Sequence, residues 1–201
     1  MKEKTLTRCP WGPGGDELMQ RYHDEEWGVP VHDDNTHFEF LILEMFQAGL
    51  SWLTVLRKRD AFRLAFASFD PKRVAKFGQA NVARLLNDTG IIRNRLKIEV
   101  AVNNAKKFLE VQKEFGSFDK CIWDFVDGKP VVNTWKDISE IPPRTELSDR
   151  VSADLKKRGF KFVGSTIMYA HLQATGLVND HVINCFRYRE VGEEKEPNPK
   201  H

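Results

Sequence analysis

"SADLKKRGFKFVGSTIMYAHLQATG", residues 152–176, is the stretch that decides the fold. Its first part has the composition of a helix that ends near Arg158, its middle is a turn with glycines at Gly159 and Gly164, and a second helix begins at Ser165. Two helices joined by a short glycine-rich turn form a helical hairpin. The sequence therefore predicts a helix-hairpin-helix unit over about residues 148–177.

The start of the second helix is a candidate phosphate-binding site. Backbone N–H groups in the first turn of a helix have no partner within the helix and attract anions. Lys161 lies inside the turn, and Lys156, Lys157 and Arg158 precede it, so the local charge is positive. Such a unit would hold a nucleic-acid backbone without reading a base. The alternative, a hairpin whose glycines only allow close packing, stays open from these residues.

The rest of the chain also shows helical spacing, with capping residues at helix starts and glycines at helix ends. One helix is expected from Asn35 or Thr36 to the residue before Gly49, and another over residues 51–69 with Ser51 as its cap. A long amphipathic helix is expected to end at Gly116, with its stripe at Ile98, Val102, Ala105 and Leu109. The only strand signal is a brief alternation in "KPVVNTW". We therefore predict one all-α domain over residues 1–188, followed by a disordered acidic tail over 189–201.

Composition excludes several classes of protein. The chain has 201 residues, of which 41% are hydrophobic and 30% charged, and no apolar run long enough to span a bilayer. Three widely spaced cysteines do not form a disulfide framework, and the first residues lack a signal-peptide core, so a cytoplasmic protein is expected. The net charge of +2 indicates little about partners. Basic clusters such as "LRKRDAFR" and "IIRNRLK" suit either solvated helix faces or nucleic acid.

Four residues of the metal-binding type lie at the two ends of the chain. Cys9 and His23 are near the start, and His181 and Cys185, in "HVINC", have the i, i+4 spacing that places two side chains on one face of a helical turn. Two thiolates and two imidazoles suit a tetrahedral zinc ion, which would tie the chain ends together. The usual short CxxC spacing is missing, so the alternative of a buried thiol beside unrelated histidines stays open.

Glu44 is a carboxylate inside an apolar helix, "ILEMFQAGLSW" at residues 42–52. It is either an edge residue that reaches solvent or a carboxylate buried for a purpose. Four aromatic residues fall in the same quarter of the chain: Trp11, Tyr22, Trp27 and Trp52. A planar base stacked between aromatic rings and hydrogen-bonded by one acid is how extruded nucleobases are held. Taken singly, each aromatic residue suits the core equally well.

Seven motifs together resemble one family. They are "RCPW", "YHDEEWGVP", "FEFLILEMFQAGLSWLTVLRKR", "FDP", "GIIRNRLKI", "LKKRGFKFVG" and "GLVNDHVINC", and they extend from about Arg8 to Tyr188. In type and order they closely resemble the DNA-3-methyladenine glycosylase I family, a zinc-containing branch of the helix-hairpin-helix DNA glycosylases. Met19 stands where some members of that family carry an aromatic residue, so one wall of the pocket is expected to differ in shape.

The resemblance implies a role for each candidate residue. It implies one structural zinc ion per chain, held by Cys9, His23, His181 and Cys185. It implies a base pocket formed by Glu44, Tyr22 and Trp52, with Trp11 and Trp27 close by. Leu50 would be the apolar wedge that fills the gap left by a flipped base, with Gln47 near the same edge. The hairpin would hold the DNA backbone through Gly159, Lys161, Gly164 and Ser165.

The implied activity is release of N3-methyladenine from double-stranded DNA by a monomeric, bacterial-type cytoplasmic enzyme. Asp180 is the acid nearest the position that carries a catalytic Asp in other helix-hairpin-helix glycosylases. Its place ahead of His181 suits a helix N-cap, and this branch is expected to work without that Asp. Two rival interpretations stay open: a zinc-stabilised DNA-binding module without chemistry, and a metallohydrolase whose zinc ion is catalytic.

Overall fold

The computed structural model describes residues 6–12 and 16–192. Helices dominate this part of the chain, which confirms the all-α prediction. The α-helices are α1 (Glu17–Glu25), α2 (Asp34–Gln47), α3 (Trp52–Leu56), α4 (Arg59–Ala65), α5 (Pro71–Val74), α6 (Gln79–Asn87), α7 (Arg95–Phe115), α8 (Phe118–Trp123), α9 (Glu146–Lys157), α10 (Ser165–Ala174) and α11 (Phe186–Gly192). Within the described ranges, no helix has both the length and the hydropathy needed to cross a bilayer.

Helix α2 runs through the centre of the domain. Every residue from His37 to Phe46 is buried, as expected for a helix surrounded by others. Its N-cap is Asp33, whose carboxylate accepts from the Thr36 amide, rather than Asn35 or Thr36 as predicted. The chain leaves the helix at Ala48 and reverses at Gly49, whose φ of +84° favours glycine.

The prediction of a single helix over residues 51–69 is wrong. Ser51 does cap α3, but the chain turns at Arg57 and Lys58 before α4 begins. The turn brings Arg59 into the interior, where it forms ion pairs with Glu26 and Glu39. After α4, a short 3-10 turn over Ala67–Phe69 has positive φ angles, which no α-helix contains.

Helix α7 is the longest helix described and ends at Gly116, as predicted. Its buried stripe includes Ile98, Val102 and Ala105, but Phe108 is fully buried whereas the predicted Leu109 is only half-buried. Two polar residues, Lys97 and Asn104, are also buried on α7. No apolar pattern predicts them.

The helix-hairpin-helix unit consists of α9, the turn at residues 158–164 and α10. Thr145 and Ser148 form a reciprocal capping box that starts α9 two residues before the predicted boundary. Phe160 and Val163 are buried in the main core and fix the turn to the domain.

A two-stranded parallel pair joins the middle of the chain to its end. Strand β1 (Val131–Val132) lies in the "KPVVNTW" segment and pairs with β2 (Val178–Asn179). The chain then continues through Asp180 to α11. Residues 189–192, predicted to be disordered, are helical because Val191 is buried and Asn179 donates to the Tyr188 carbonyl. The rest of the predicted tail, 193–201, lies outside the described residues.

Candidate functional site

Cys9, His23, His181 and Cys185 meet in one buried cluster, as their residue types suggested. Their ligand atoms all lie within 4.8 Å of one another, and each residue is at most 3% exposed. Cys9 Sγ lies 3.4 Å from His181 Nδ1, and Cys185 Sγ lies 3.5 Å from both His181 Nδ1 and His23 Nε2. Sulfur and nitrogen ligands of a tetrahedral zinc ion are about 3.5 Å apart, so the cluster has the dimensions to hold a metal ion.

Hydrogen bonds orient both imidazole rings toward the cluster. His23 Nδ1 donates to Asp24, and His181 Nε2 donates to the Trp27 carbonyl, so the other nitrogen of each ring faces the thiols. Asp24 is in turn held by the Arg8 guanidinium. Metal-bound histidines in proteins are held in this way. The donor set therefore fits a metal ion and leaves no open position on it.

Close packing adds a second constraint on the rings. A Cβ atom at Gly12 would lie 2.8 Å from the His23 ring, and one at Gly28 would lie 3.0 Å from His181 Nε2. Both positions therefore need glycine.

His181 and Cys185 do not lie on a helix, contrary to the prediction. They lie in the loop before α11, where the Cys185 amide donates to the Val182 carbonyl and brings the thiol back toward His181.

A cavity of about 420 Å³ lies beside the metal-type cluster. It brings together all the predicted pocket residues and one predicted edge residue: Trp11, Tyr22, Trp27, Glu44, Trp52 and Gln47. Met19, the position singled out as unusual, also lines it. The sequence interpretation missed four further lining residues: Ile138, Ile141, Ala170 and Gln173.

Aromatic rings form two walls of this cavity. Tyr22 and Trp52 lie with their ring centroids 5.3 Å apart, and Trp11 and Trp27 are 4.8 Å apart, edge to face. The Trp27 ring also contacts His181 edge to face at 4.5 Å. The metal-type cluster therefore supports the aromatic walls directly. The indole N–H of Trp52 is buried and has no partner among the described residues.

Glu44 is a buried carboxylate that has no ion-pair partner among the described residues. It is 5% exposed, and burial raises its pKa to about 8. Burial also raises the pKa of Tyr22 well above its ordinary value, and the Glu44 charge adds to this. A buried carboxylate without donors or a counter-ion is costly when ionised. Glu44 therefore suits a ligand that supplies a positive charge or a hydrogen-bond donor.

A second cavity, of about 200 Å³, extends the first one toward the hairpin. Glu44, Gln47 and Ala170 line both cavities, so the two are contiguous. The outer cavity is bordered by the exposed Leu50 on one side and by Thr166 and Ile167 of α10 on the other. The turn after α2 and the start of α10 thus flank one route to Glu44.

At the hairpin, the predicted residues lie at the start of α10. Gly164 is the N-cap and has no side chain to bond the free N–H groups of the first turn, and Ser165 begins the helix. Lys161 is exposed in the turn, and Gly159 has a φ of +89°. Arg158 does not add free charge as predicted, because its guanidinium pairs with Glu114 and Asp154.

Asp180 is not a helix N-cap, contrary to the prediction. It is 1% exposed and accepts hydrogen bonds at 2.5–2.7 Å from four neutral donors: Asn133, Trp135, Tyr169 and Gln173. The carboxylate joins the segment after β1, helix α10 and the loop after β2. These four donors occupy the acceptor positions of the carboxylate.

A model of the methyladenine glycosylase family matches residues 11–188. The chain belongs to this family. The resemblance that the seven motifs suggested is therefore confirmed, and the chain is a member of a family of glycosylase enzymes. The methyladenine glycosylase assignment covers the aromatic cavity, Glu44, the hairpin and all but the first of the four metal-type residues.

Named relatives agree with the family assignment. DNA-3-methyladenine glycosylase 1 of Escherichia coli K12 is 48% identical over 183 residues, which are 91% of this chain and 97% of the relative. The structure of 3-methyladenine DNA glycosylase I from Staphylococcus aureus is 34% identical, with a TM-score of 0.87, and the match covers 95% of this chain and 99% of that one. A tyrosine-to-phenylalanine variant of a 3-methyladenine DNA glycosylase I, solved in complex with 3-methyladenine, is 36% identical with a TM-score of 0.86, covering 89% and 96%.

The four missed cavity residues carried little signal in the sequence. Ile138 and Ile141 lie in a segment that its prolines and polar residues mark as a linker. Ala170 and Gln173 lie on α10 at positions that suit an ordinary helix. The cavity is completed by a connection packed over a helical face, and single-sequence spacing does not reveal such long-range packing.

Proposed function

We propose that this protein is a DNA repair glycosylase that flips N3-methyladenine out of duplex DNA and hydrolyses its N-glycosidic bond. The products are the free base and an abasic site. One observation carries the proposal: Glu44, a buried carboxylate with no counter-ion in the part of the chain that the structure describes, faces an aromatic cavity that opens between an exposed leucine and a helical hairpin. The relatives named for 3-methyladenine, one of them bound to that base, support the choice of substrate.

Glu44 selects the base by charge. Adenine methylated at N3 is cationic in DNA, and its exocyclic amino group is a hydrogen-bond donor. The cation compensates the carboxylate that burial otherwise disfavours. Unmodified adenine is neutral and cannot compensate that charge, so the same group that binds the damaged base discriminates against the normal one.

The aromatic walls supply the binding energy that charge alone does not. A base placed beside Tyr22 and Trp52 gains stacking worth about 1–3 kcal/mol, the range found for bases on aromatic platforms. Trp11 and Trp27 close the other side of the cavity. Taking the base out of the helix costs a few kcal/mol, and a damaged base is the easiest to extrude.

The duplex is held at the rim of the outer cavity. The free N–H groups at Gly164 and Ser165 and the exposed Lys161 are suited to backbone phosphates, without reading sequence. Gly159 lets the turn reverse beneath them. Leu50 fills the space left in the base stack, as apolar wedge residues do in other proteins that distort DNA, and Gln47 lies at the same edge.

The chemistry needs little proton transfer at the base. When the bond between the anomeric carbon and N9 breaks, its electron pair stays with the cationic base, which leaves as neutral 3-methyladenine. The sugar becomes an oxocarbenium ion, water adds its oxygen to the anomeric carbon, and one proton goes to solvent. Glu44 stabilises the positive charge on the base and the sugar or orients the water. Asp180, whose oxygens are already hydrogen-bonded, has no part in this step.

Cys9, His23, His181 and Cys185 would hold one zinc ion. Four protein ligands leave no position for water or substrate, so the ion would stabilise structure and not activate water. It would fix the segment that carries Trp11, Tyr22 and Trp27 against the end of the chain. We further propose that the enzyme acts as a monomer on chromosomal DNA in a bacterial-type cytoplasm.

The test is release of free N3-methyladenine from methylated duplex DNA, with the native protein compared with Glu44→Gln. Release by the native protein and a sharp loss in the variant, with folding intact, is the expected result. Glu99→Gln, at an exposed acid on α7, is the matched control and should behave as native. Equal release by native protein and Glu44→Gln would overturn the role of Glu44. No release by either, with metal bound, would overturn the glycosylase and leave a DNA-binding protein without chemistry.

A further inference from the structure

Two buried polar side chains on α7, Lys97 and Asn104, have no role in the proposed reaction. Lys97 is 7% exposed and Asn104 is fully buried. They are seven residues apart, which places them on the same face of the helix and about 10 Å apart along its axis. Lys97 bonds backbone carbonyls at the end of α2, and Asn104 bonds the backbone of the hairpin turn as well as the neighbouring Asn103 side chain.

Lys97 holds the C-terminal end of α2. Its ammonium group donates to the Phe46 carbonyl at 2.9 Å and to the Ala48 carbonyl at 2.7 Å. Carbonyls in the last turn of a helix lack intrahelical partners and lie at the negative end of its dipole, so a cation is well placed there. Gly49 and Leu50 follow directly. Lys97 therefore fixes the residue at which the wedge turn, residues 48–51, leaves the helix.

Asn104 holds the hairpin by the same kind of contact. Its amide nitrogen donates to the Lys161 carbonyl, and its amide oxygen accepts from the Lys161 backbone N–H, both at 2.9 Å. Phe162, the next residue, has a φ of +55°, which is unfavourable for a residue other than glycine. Such a conformation persists only when its surroundings fix it, and it is found most often at functional sites.

We infer that Lys97 and Asn104 are positioning residues, and that α7 sets the spacing between the wedge turn and the hairpin on the DNA-facing side. Leu50 on the wedge turn and Thr166 after the hairpin border one cavity that leads to Glu44. Their separation therefore decides where the duplex lies relative to the carboxylate. A buried ammonium costs more to desolvate than an apolar side chain of similar size, so packing alone does not explain Lys97. This inference rests on the proposed function.

The two contacts predict different kinetic defects. Lys97→Met removes the bonds to the wedge turn, and we expect a fall of about tenfold or more in the single-turnover rate at saturating enzyme, because a shift of about 1 Å at a reacting centre can cost a hundredfold. Its affinity for a duplex with a stable abasic-site analogue should change little. Asn104→Ala should instead weaken that affinity about tenfold and leave the saturated rate near native.

Binding of free 3-methyladenine, followed by tryptophan fluorescence, separates positioning from general damage. Both variants should keep native affinity for the free base, because the aromatic cavity is untouched. Lys106→Met, at an exposed lysine on the same helix, is the matched control and should be native in every assay.

Lys97→Gln keeps two donors without the charge and should recover part of the rate. If Lys97→Met does not fold, Lys97→Gln takes its place, with a smaller defect of the same kind expected. Asn104→Asp, which keeps the acceptor for the Lys161 amide, likewise replaces Asn104→Ala.

Two results would overturn the inference. One is loss of free-base affinity in parallel with the rate, which would mean that these residues only stabilise the fold. The other is native rate and native duplex affinity in both variants. Failure of the proposed function is a different result, since the native protein would then release no base from methylated duplex DNA.

Discussion

Glu39 and Glu44 lie five residues apart on the same buried helix, and within residues 6–12 and 16–192 only Glu39 is paired with arginine. Arg59 and Arg63 both contact the Glu39 carboxylate, the latter at 2.8 Å. Burial alone determines the direction in which the pKa of Glu44 moves. Helix α2 thus carries one carboxylate that is paired with arginines and one for which the described residues provide no counter-ion.

This difference predicts that removing the charge of Glu44 stabilises the protein at high pH, whereas removing the charge of Glu39 destabilises it. The pKa of Glu44 is about 8 in the folded protein, against 4.5 for an ordinary glutamate. Since the folded state binds this proton more tightly, the free energy of unfolding should fall as pH rises from about 4.5 to 8. Glu44→Gln removes that dependence and should be more stable than native by roughly 2–4 kcal/mol at pH 8, and equal to it at pH 4.

Urea unfolding at pH 4, 6 and 8 measures this effect. Glu39→Gln is the matched control on α2, and it should be less stable than native at pH 8 by about 3 kcal/mol, the low end for a broken buried ion pair, because Arg59 loses one of its two carboxylate partners and keeps Glu26. A Glu44→Gln variant that is destabilised at pH 8 would contradict the account.

The same pKa predicts the pH dependence of activity. Ionised Glu44 is the form that pairs with a cationic base, so kcat/KM of the native enzyme should rise with pH and level off above about 8. The residual activity of Glu44→Gln should lack this rise. A native profile that is flat between pH 6 and pH 9, measured on the same methylated duplex, would show that Glu44 is already ionised in the free enzyme.

Asp24→Asn should weaken metal binding without removing a ligand. Asp24 accepts from His23 Nδ1 at 2.8 Å and so keeps the other ring nitrogen turned toward the thiols. Loss of such a partner typically lowers metal affinity by about 10–100-fold. Competition with a chromogenic chelator measures the change, and Asp60→Asn, at a side chain that is 95% exposed, is the control. Native metal affinity in Asp24→Asn would show that the ring is oriented by packing on Gly12 alone.

Leu50→Ala should impair action on duplex DNA while leaving stability almost unchanged. Leu50 is 44% exposed, so the fold loses little. The wedge would lose contacts worth about 1–2 kcal/mol, which corresponds to roughly a tenfold lower rate on duplex substrate and a smaller effect on single strands. Leu64→Ala, at a leucine that is 85% exposed on α4, should leave both rates native. An equal loss on duplex and single strands would mean that Leu50 does not act as a wedge.

Asp180→Asn should affect folding more than chemistry. The amide would turn its own N–H groups toward donors that now bond a carboxylate, and leaving buried donors without acceptors costs about 2–4 kcal/mol. Release of base by the folded fraction in a single turnover should stay within about tenfold of native, because Asp180 bonds structural donors and not the reacting atoms. A tenfold change corresponds to about 1.4 kcal/mol in the activation barrier. Intact stability together with a rate loss of several orders of magnitude would instead identify Asp180 as a catalytic acid or base.

Local signals predicted the parts of the site that depend on local chemistry. The glycines of the hairpin and the capping by Ser51 follow from residue type and helical spacing, whereas spacing left two alternatives for Glu44, and the structure shows the buried one. The cysteines and histidines do meet, but the turn that carries His181 and Cys185 is not helical, because contacts with the first residues of the chain shape it. The Phe186 amide, for example, donates to the Thr7 carbonyl.

What the sequence did not predict is polar contact over long distances in the chain. Asp180 bonds Asn133, 47 residues away, and Asn104 bonds Lys161, 57 residues away. An asparagine or lysine on a long helix is typical of a solvated face, and its spacing gives no sign of a backbone partner elsewhere. The break between α3 and α4 has the same origin, since Arg59 is turned inward by two distant glutamates, Glu39 on α2 and Glu26 just after α1.

The metal-type cluster also sets an order of events during synthesis. Cys9 and His181 are separated by 172 positions, so every residue from Cys9 to Cys185 must leave the ribosome before the four side chains can meet. Tyr22 and Trp27, which line the base cavity, belong to the segment that this cluster fixes. A nascent chain can therefore form its central helices early, but its base cavity is completed only after Cys185 has been synthesised. Prematurely terminated chains would consequently lack a finished cavity.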